Sequence, residues 1–206
     1  MLTEMLHMVG QVIQTPVIII LMFLIVVAIW QVGDLLVEYI IERRKFKENV
    51  PVYLKKMSAA GIKGMPHLIE SGKLLKSQKT MMKNLIDGKD MSQNALIALA
   101  QDLLGEEENR YAKGTSVTDL VAKLGPMFGL LGTLIPLGPG IIALGEGDTA
   151  TLAASIGIAF DTTIAGLLAA AICFVISHIR KRWYAKYSNA NQAIMECLLD
   201  EVVTES

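Results

Sequence analysis

The sequence has little of what metal, redox or nucleotide chemistry requires. It contains two cysteines and three histidines, without a CxxC pair or a His/Cys cluster at ligand spacing. Cys173 and Cys197 would lie about 36 Å apart on a continuous helix, too far for a disulfide within one chain. Neither a Gly-x-x-x-x-Gly-Lys-Ser/Thr phosphate loop nor a dinucleotide-binding fingerprint occurs. We therefore expect no cofactor and no metal site.

An excess of charge of one sign is also missing, since 19 Lys and Arg face 20 Asp and Glu. This balance argues against a nucleic-acid-binding protein, which would need a basic stripe or patch. The chain is instead apolar, with 52% hydrophobic residues and a mean hydropathy of +0.46. Such values are unusual for a soluble domain and favour a membrane protein.

Three long apolar runs predict membrane spans at residues 16–33, 124–144 and 152–179. The first would form about 27 Å of helix, enough to cross a bilayer. A signal peptide is the alternative, but no basic region precedes the run and no cleavage pattern follows it. The second run is rich in glycine and proline, and Pro136 and Pro139 are expected to bend or locally unwind it.

Lys and Arg residues predict the orientation in the cell (inner) membrane. Residues 1–15 contain none, whereas basic clusters follow the first span at Arg43–Lys47 and the third at Arg180–Arg182. The positive-inside rule therefore places residues 1–15 outside, and residues 34–120 and 180–206 in the cytoplasm. The two basic clusters are interpreted as anchors beside the bilayer.

The cytoplasmic parts are predicted to be helical, so the fold class is all-α. Residues 35–47 are expected to extend the first span, and further helices are expected over 65–86 and 91–113. Asp90 is a candidate N-cap, and Gly88 is expected to end the preceding helix. Residues 180–206 should extend the third span, with an apolar face that needs a partner from this chain or from a copy of it: Trp183, Tyr187, Ile194, Leu198 and Val202.

Small and polar residues form one stripe on each of the last two spans, within an arc of about 80° at about 100° per residue. Such stripes either let helices pack closely or line a narrow polar path. The first comprises Pro126, Gly129, Thr133, Pro136 and Gly140, and the second Ser155, Ala159, Thr163, Gly166, Ala170, Cys173 and Ser177.

The stripes contain two motifs that resemble those of the MotA/TolQ/ExbB proton-channel family. Pro126-Met-Phe-Gly-Leu-Leu-Gly-Thr133 is similar to its second-span motif, and Asp161-Thr-Thr-Ile-Ala-Gly-Leu167 to its third-span motif. The layout of spans and cytoplasmic helices agrees as well. Two positions depart from the pattern: Pro136 stands where members often have Gly, and Ile158 where ExbB-like members have Glu.

The resemblance implies a homopentamer around a dimer of a single-span ExbD/TolR/MotB-like protein that carries a membrane Asp. The chain would then form an ion channel that conducts protons, and it would be a stator subunit of a membrane motor. Its function would be to turn ion flux into mechanical work, and not to act as an enzyme. Thr133 and Thr163 would line the ion path. A non-conducting membrane scaffold is the alternative.

Asp161 is the one charged residue of the third span and is a candidate for the ion path, because a membrane carboxylate is costly. The alternative is that Asp161 is a structural acid packed between spans one and three. The threonines could instead bond their own backbone. Glu146 and Asp148 could attract cations, or could belong to a solvated loop.

Overall fold

A computed structural model describes the backbone of residues 2–40, 49–72 and 74–205, with side chains from residue 12 onward except 62, 63 and 205. Every element in these ranges is a helix. The predicted cluster Arg43–Lys47 lies outside the described residues. The five helices are α1 (Leu2–Glu38), α2 (Val50–Ser71), α3 (Lys76–Asp87), α4 (Gln93–Gly145) and α5 (Thr149–Glu205).

Three of the helices are long and apolar enough to cross a membrane, namely Val12–Glu38, Gln93–Gly145 and Thr149–Thr204. Each contains one of the runs predicted as spans. α5 continues through the tail, as predicted. α4 joins the predicted helix 91–113 to the second span, and it stays helical through Pro136 and Pro139. The expected local unwinding is therefore wrong, since each proline removes one N–H donor without ending the helix.

The predicted helix over residues 65–86 is wrong, because the chain breaks there into α2 and α3. Gly72 ends α2 in an extended conformation, and its N–H donates to Leu68 O at 3.0 Å. The backbone N–H of Leu75 then donates to Gln78 Oε1 at 2.9 Å and starts α3. A second irregularity lies at Gly61, whose φ of 59° interrupts α2 and favours glycine.

The prediction for the turn before α4 is right at one end and wrong at the other. Gly88 ends α3, and its N–H donates to Asn84 O at 3.2 Å. Asp90 is not the N-cap, because α4 begins at Gln93 and Ser92 O accepts from Leu96 N. Asp90 belongs to the turn between the two helices.

The connection between α4 and α5 is a tight turn, in which Gly147 has a φ of 83°. Asp148 Oδ1 accepts from the backbone N–H groups of Ala150 and Thr151 at 3.1 and 3.0 Å. The Thr151 hydroxyl also donates to Asp148, and these hydrogen bonds lower the pKa of its carboxyl. Asp148 thus caps the first turn of α5.

The chain forms two compact units. The span unit consists of Met1–Leu35 and Thr115–Ile179. In it, α1 packs on α4 and α5 through an apolar cluster: Leu24, Ala28, Val121, Ala169 and Cys173. Much of its surface is apolar, with Phe160 and Phe174 both 65% exposed. Such side chains suit contact with lipid or with another membrane helix.

The bundle unit consists of Leu36–Gly114 and Arg180–Ser206. Its core joins α2, α3, the start of α4 and the end of α5, and includes Met57, Ile69, Met82, Leu85, Leu96, Ile194 and Leu198. The apolar face of the C-terminal tail is therefore covered by this chain itself. One buried polar contact lies beside this core, where Gln78 Nε2 donates to Asn191 Oδ1 at 2.6 Å.

Candidate functional site

In the span unit, α4 and α5 touch backbone to backbone. A Cβ atom at Gly125 would lie 2.5 Å from the carbonyl oxygen of Gly166 and 3.0 Å from the Cβ of Ala170. A Cβ at Gly166 would in turn overlap the Gly125 carbonyl. Real Cβ atoms do not come so close to a backbone oxygen, so the contact requires glycine on both helices.

Further contacts set the register of the two helices. A Cβ at Gly132 would lie 2.7 Å from the Cβ of Thr162, and one at Gly140 would lie 2.9 Å from the Cβ of Ser155. Residue numbers therefore rise along α4 as they fall along α5. The two helices are antiparallel, and Thr133, the residue after Gly132, is level with Asp161.

Most of the small residues predicted as pore lining or helix packing lie in or beside this contact. Seven are buried in the described chain: Gly129, Pro136, Gly140, Ser155, Ala159, Gly166 and Ala170. Pro126 is exposed. The buried positions thus serve close packing between two helices of one chain, one of the two uses that the stripes predicted.

Thr133 and Thr163 are the two stripe residues that are partly exposed. Thr133 Oγ1 donates to Leu130 O at 2.6 Å, and Thr163 Oγ1 donates to Ala159 O at 3.1 Å. Each hydroxyl proton is therefore held by the backbone of its own helix. The oxygen lone pairs remain as acceptors for a group outside the chain.

The two threonines lie on one side of the helix pair. Thr133 follows Gly132, and Thr163 follows Thr162, so each is rotated about 100° away from the contact between the helices. Because the helices are antiparallel, both rotations lead to the same side. Their depths differ by about 3 Å, since Thr133 is level with Asp161, two residues before Thr163.

The structure does not bring Asp161 together with the threonines. Asp161 is exposed on the span unit, and it lies about 200° round the helix from Thr163. It is therefore not packed between the first and third spans of its own chain. The interpretation of Asp161 as a buried structural acid is wrong for the described chain.

Several polar contacts were not predicted. Thr162 is buried against Gly132, and its hydroxyl donates to Ile158 O and Ala159 O. Ser177, a stripe residue, donates to Asp119 Oδ1 on α4. There was little indication of these contacts in the sequence. Which hydroxyl is buried, and which acid it meets, depends on how the helices pair.

Arg180 also differs from its prediction as a membrane anchor. It is 3% exposed in the bundle unit, and its Nε donates to Glu38 Oε2 at 2.8 Å. An anchor would reach outward to lipid headgroups. Lys181 and Arg182 are exposed, and for these two residues the membrane anchor stays a prediction.

Comparison with known proteins identifies the family of the chain. The family model described as MotA/TolQ/ExbB proton channel family matches residues 70–192, more than half of the chain. The chain belongs to this family. Its match includes the whole contact between α4 and α5 and both threonines. No curated protein matches the chain.

Membership of the MotA/TolQ/ExbB family and three apolar helices identify a membrane-embedded protein of a proton-channel family. Among the described residues, no group of three or more His, Cys, Asp or Glu side chains could hold a metal ion.

Proposed function

We propose that this chain is the channel and stator subunit of a proton-driven membrane motor. In this proposal a homopentamer surrounds a dimer of a single-span ExbD/TolR/MotB-like protein with a membrane aspartate. The observation that carries the proposal is the pair of half-exposed threonines, Thr133 and Thr163, on one side of the α4–α5 contact. They lie within a stretch that matches a proton-channel family.

The hydrogen bonds of the threonines suggest how they would treat a partner carboxyl. Both hydroxyl protons are donated to the backbone of the same chain, at Leu130 O and Ala159 O. A carboxyl that meets these oxygens must therefore donate a hydrogen bond, which it does only when it holds a proton. The threonine face would bind the protonated partner and release it when the proton leaves.

The close packing of α4 against α5 supports a motor. Its glycines, such as Gly125 and Gly166, leave no space for a side chain between the two backbones. A pair of helices packed so closely moves as one body, so that a force on the threonine face is passed on to the rest of the subunit. The membrane potential would supply about 2.3 kcal/mol per charge for each 100 mV.

We also propose the orientation in the inner membrane that the distribution of Lys and Arg residues predicts. Residues 1–15 would lie outside, and residues 34–120 and 180–206 in the cytoplasm. The spans would be residues 16–33, 124–144 and 152–179. The bundle unit would then be cytoplasmic.

One observation favours a non-conducting scaffold as the second candidate. The small residues of both stripes are used to pack α4 against α5, and both threonine hydroxyls are satisfied by their own backbone. These features would be kept in a protein whose membrane helices only hold an assembly together.

Native mass spectrometry of the chain, gently extracted from its own membrane, tests the proposal. We expect a pentamer of this chain that carries a dimer of a small single-span protein. A monomer or dimer without such a partner would contradict the motor. An oligomer without the single-span protein, and without proton flux in liposomes, would support the scaffold.

A further inference from the structure

Asp119 and Ser177 join α4 to α5 at one end of the span unit. The Ser177 hydroxyl donates to Asp119 Oδ1, although the two residues are 58 positions apart in the sequence. Ser177 is 3% exposed, whereas Asp119 is half-buried. The serine thus holds the carboxyl from inside the helix pair, and the carboxyl is partly accessible from outside the chain.

Asp119 lies on the threonine face, the side of the helix pair that carries Thr133 and Thr163. It precedes Thr133 by 14 residues, which make nearly four full turns and leave the two side chains within about 40° of each other around α4. α1 packs on another side of α4, because the apolar cluster that it forms includes Val121, about 200° round the helix from Asp119. The threonine face therefore continues along α4 to Asp119.

The depth of Asp119 differs from that of the threonines. Asp119 is about 21 Å from Thr133 along α4. It comes before the start of the predicted span 124–144, at the end that the proposed orientation places next to the cytoplasm. Thr133 is near the middle of the same span. A proton that is released at the threonines would therefore meet Asp119 where it leaves the bilayer.

The charged and titratable neighbours of Asp119 lie on α4 and α5. Lys123 is one turn further along α4, His178 follows Ser177 on α5, and both are exposed. Charged groups in such numbers belong to a hydrated surface and not to lipid, so water can reach the carboxyl. The Lys123 ammonium has no lone pair for a further proton, whereas the Asp119 carboxylate can accept one.

We propose that Asp119 is the proton acceptor at the cytoplasmic end of the threonine face. The inference rests on the proposed proton flux, and it adds the residue through which protons leave the path. A hydronium ion that arrives from the threonines gives its proton to the carboxylate and remains as water. The carboxyl then gives this proton to water or to a buffer base in the cytoplasm, and becomes a carboxylate again. Ser177 positions the carboxyl through its hydrogen bond to Oδ1.

Proton flux in liposomes that contain the assembled complex tests this role. Asp119→Asn keeps an oxygen that can accept from Ser177, but it cannot take up and release a proton as an acid does. Flux should fall by about tenfold or more, because a positioned group that transfers protons contributes at least this much. Asp119→Glu should restore it. The matched control is Asp102→Asn, which removes an exposed acid of α4 in the bundle unit and should keep the wild-type flux.

A mobile buffer separates proton transfer from a structural role. A higher concentration of a membrane-impermeant buffer on the cytoplasmic side should restore flux to Asp119→Asn, because the buffer base then acts as the acceptor. Ser177→Ala should lose less flux than Asp119→Asn, since it keeps the carboxylate. Equal losses for these two variants without rescue by buffer would mean that Asp119 only holds α4 to α5, and would overturn the inference. Loss of flux in His178→Gln with full flux in Asp119→Asn would assign the role to His178 and would also overturn it.

The wild-type complex separates this inference from the proposed function. Absence of flux in the wild-type complex would overturn the proposed function, whereas equal flux in the wild-type complex and in Asp119→Asn would overturn the inference alone. If Asp119→Asn does not assemble, the wild-type complex is treated with a carbodiimide, which labels carboxyls that take up protons. Labelling of Asp119, followed by peptide mass spectrometry, should rise when a proton gradient drives flux toward the cytoplasmic side. Equal labelling with and without the gradient would contradict the role of Asp119 as acceptor.

Discussion

Arg180 and Glu38, 142 residues apart in the sequence, form an ion pair inside the bundle unit. Arg180 Nε donates to Glu38 Oε2 at 2.8 Å, and the side chains are 4% and 14% exposed. Arg180 Nη1 also donates to Gly114 O at 3.1 Å, and Tyr184 donates to Glu38 Oε1 at 2.7 Å. One guanidinium therefore holds the end of α1 to α4 and α5.

Breaking this pair should destabilise the protein strongly. Arg180→Met would leave the Glu38 carboxylate buried without its cation, and such changes cost about 3–5 kcal/mol. Glu38→Gln together with Arg180→Met should cost less than Arg180→Met alone, because no charge is then left unpaired. Thermal unfolding in detergent, followed by circular dichroism, measures the difference.

The exposed pair Lys83–Glu70 is the matched control. Its side chains are 50% and 72% exposed, with an Nζ–Oε1 distance of 3.1 Å. Solvent screens such a pair, so Lys83→Met should leave the midpoint of thermal unfolding nearly unchanged. Equal losses for Lys83→Met and Arg180→Met would show that burial of the Arg180 pair has no consequence.

The glycine contact between α4 and α5 should not tolerate a methyl group. Gly125→Ala would place a Cβ 2.5 Å from the Gly166 carbonyl, and overpacking of this kind costs about 1–3 kcal/mol. Gly105→Ala is the control, because a Cβ there meets nothing within 4 Å. Its higher helix propensity should raise stability by up to about 1 kcal/mol. Urea unfolding of both variants in detergent checks the opposite signs.

The fold could be predicted from the sequence where one helix decides its own structure. The apolar runs predicted the three helices that are long and apolar enough to cross a membrane, and Gly88 predicted the end of α3. The break between α2 and α3 was missed, because apolar residues continue at helical spacing on both sides of Gly72. The hydrogen bond from Leu75 to Gln78 that starts α3 has no strong sequence signal.

The residue types of the site could be predicted from the sequence, but the contacts between these residues could not. The stripes singled out Thr133 and Thr163, yet their spacing could not show that Gly129 and Gly166 pack against each other in one chain. The ion pair of Glu38 and Arg180 joins residues from distant helices, and no local pattern indicates it. Asp161 was visible as a membrane acid, whereas its exposure depends on where α1 and α4 pack.

Asp148 should make the start of α5 sensitive to acid. Hydrogen bonds from Thr151 lower the pKa of the Asp148 carboxyl from its ordinary value of 3.8. Its contribution to stability is therefore complete above pH 3.8 and is lost as the pH falls through the lower pKa of the folded protein. The effect should be small, since the carboxyl is exposed.

The variant Asp148→Asn can still accept a hydrogen bond as a cap, but it does not titrate. Thermal midpoints of the wild-type protein and this variant should differ near neutral pH and converge in acid, whereas Asp148→Ala should be the least stable at neutral pH. A constant difference between the wild-type protein and Asp148→Asn across this range would contradict a role for the charge.

Proton flux should depend on the hydroxyl oxygens of Thr133 and Thr163 and not on that of Thr162. All three donate to their own backbone, so replacement by valine removes the same kind of hydrogen bond in each case. Thr162 is buried against Gly132, whereas the other two are partly exposed. Only their oxygens can accept from a partner carboxyl. Loss of such a hydrogen bond to a neutral carboxyl, worth about 0.5–1.5 kcal/mol, should reduce flux by about two- to tenfold. Flux is measured with a pH-sensitive dye in liposomes that contain the assembled complex.

Serine variants and Thr162 are the controls. Thr133→Ser and Thr163→Ser should restore the flux, and Thr162→Val should leave it near the wild-type rate. Equal losses for all three valine variants would point to helix packing, and thus to the scaffold.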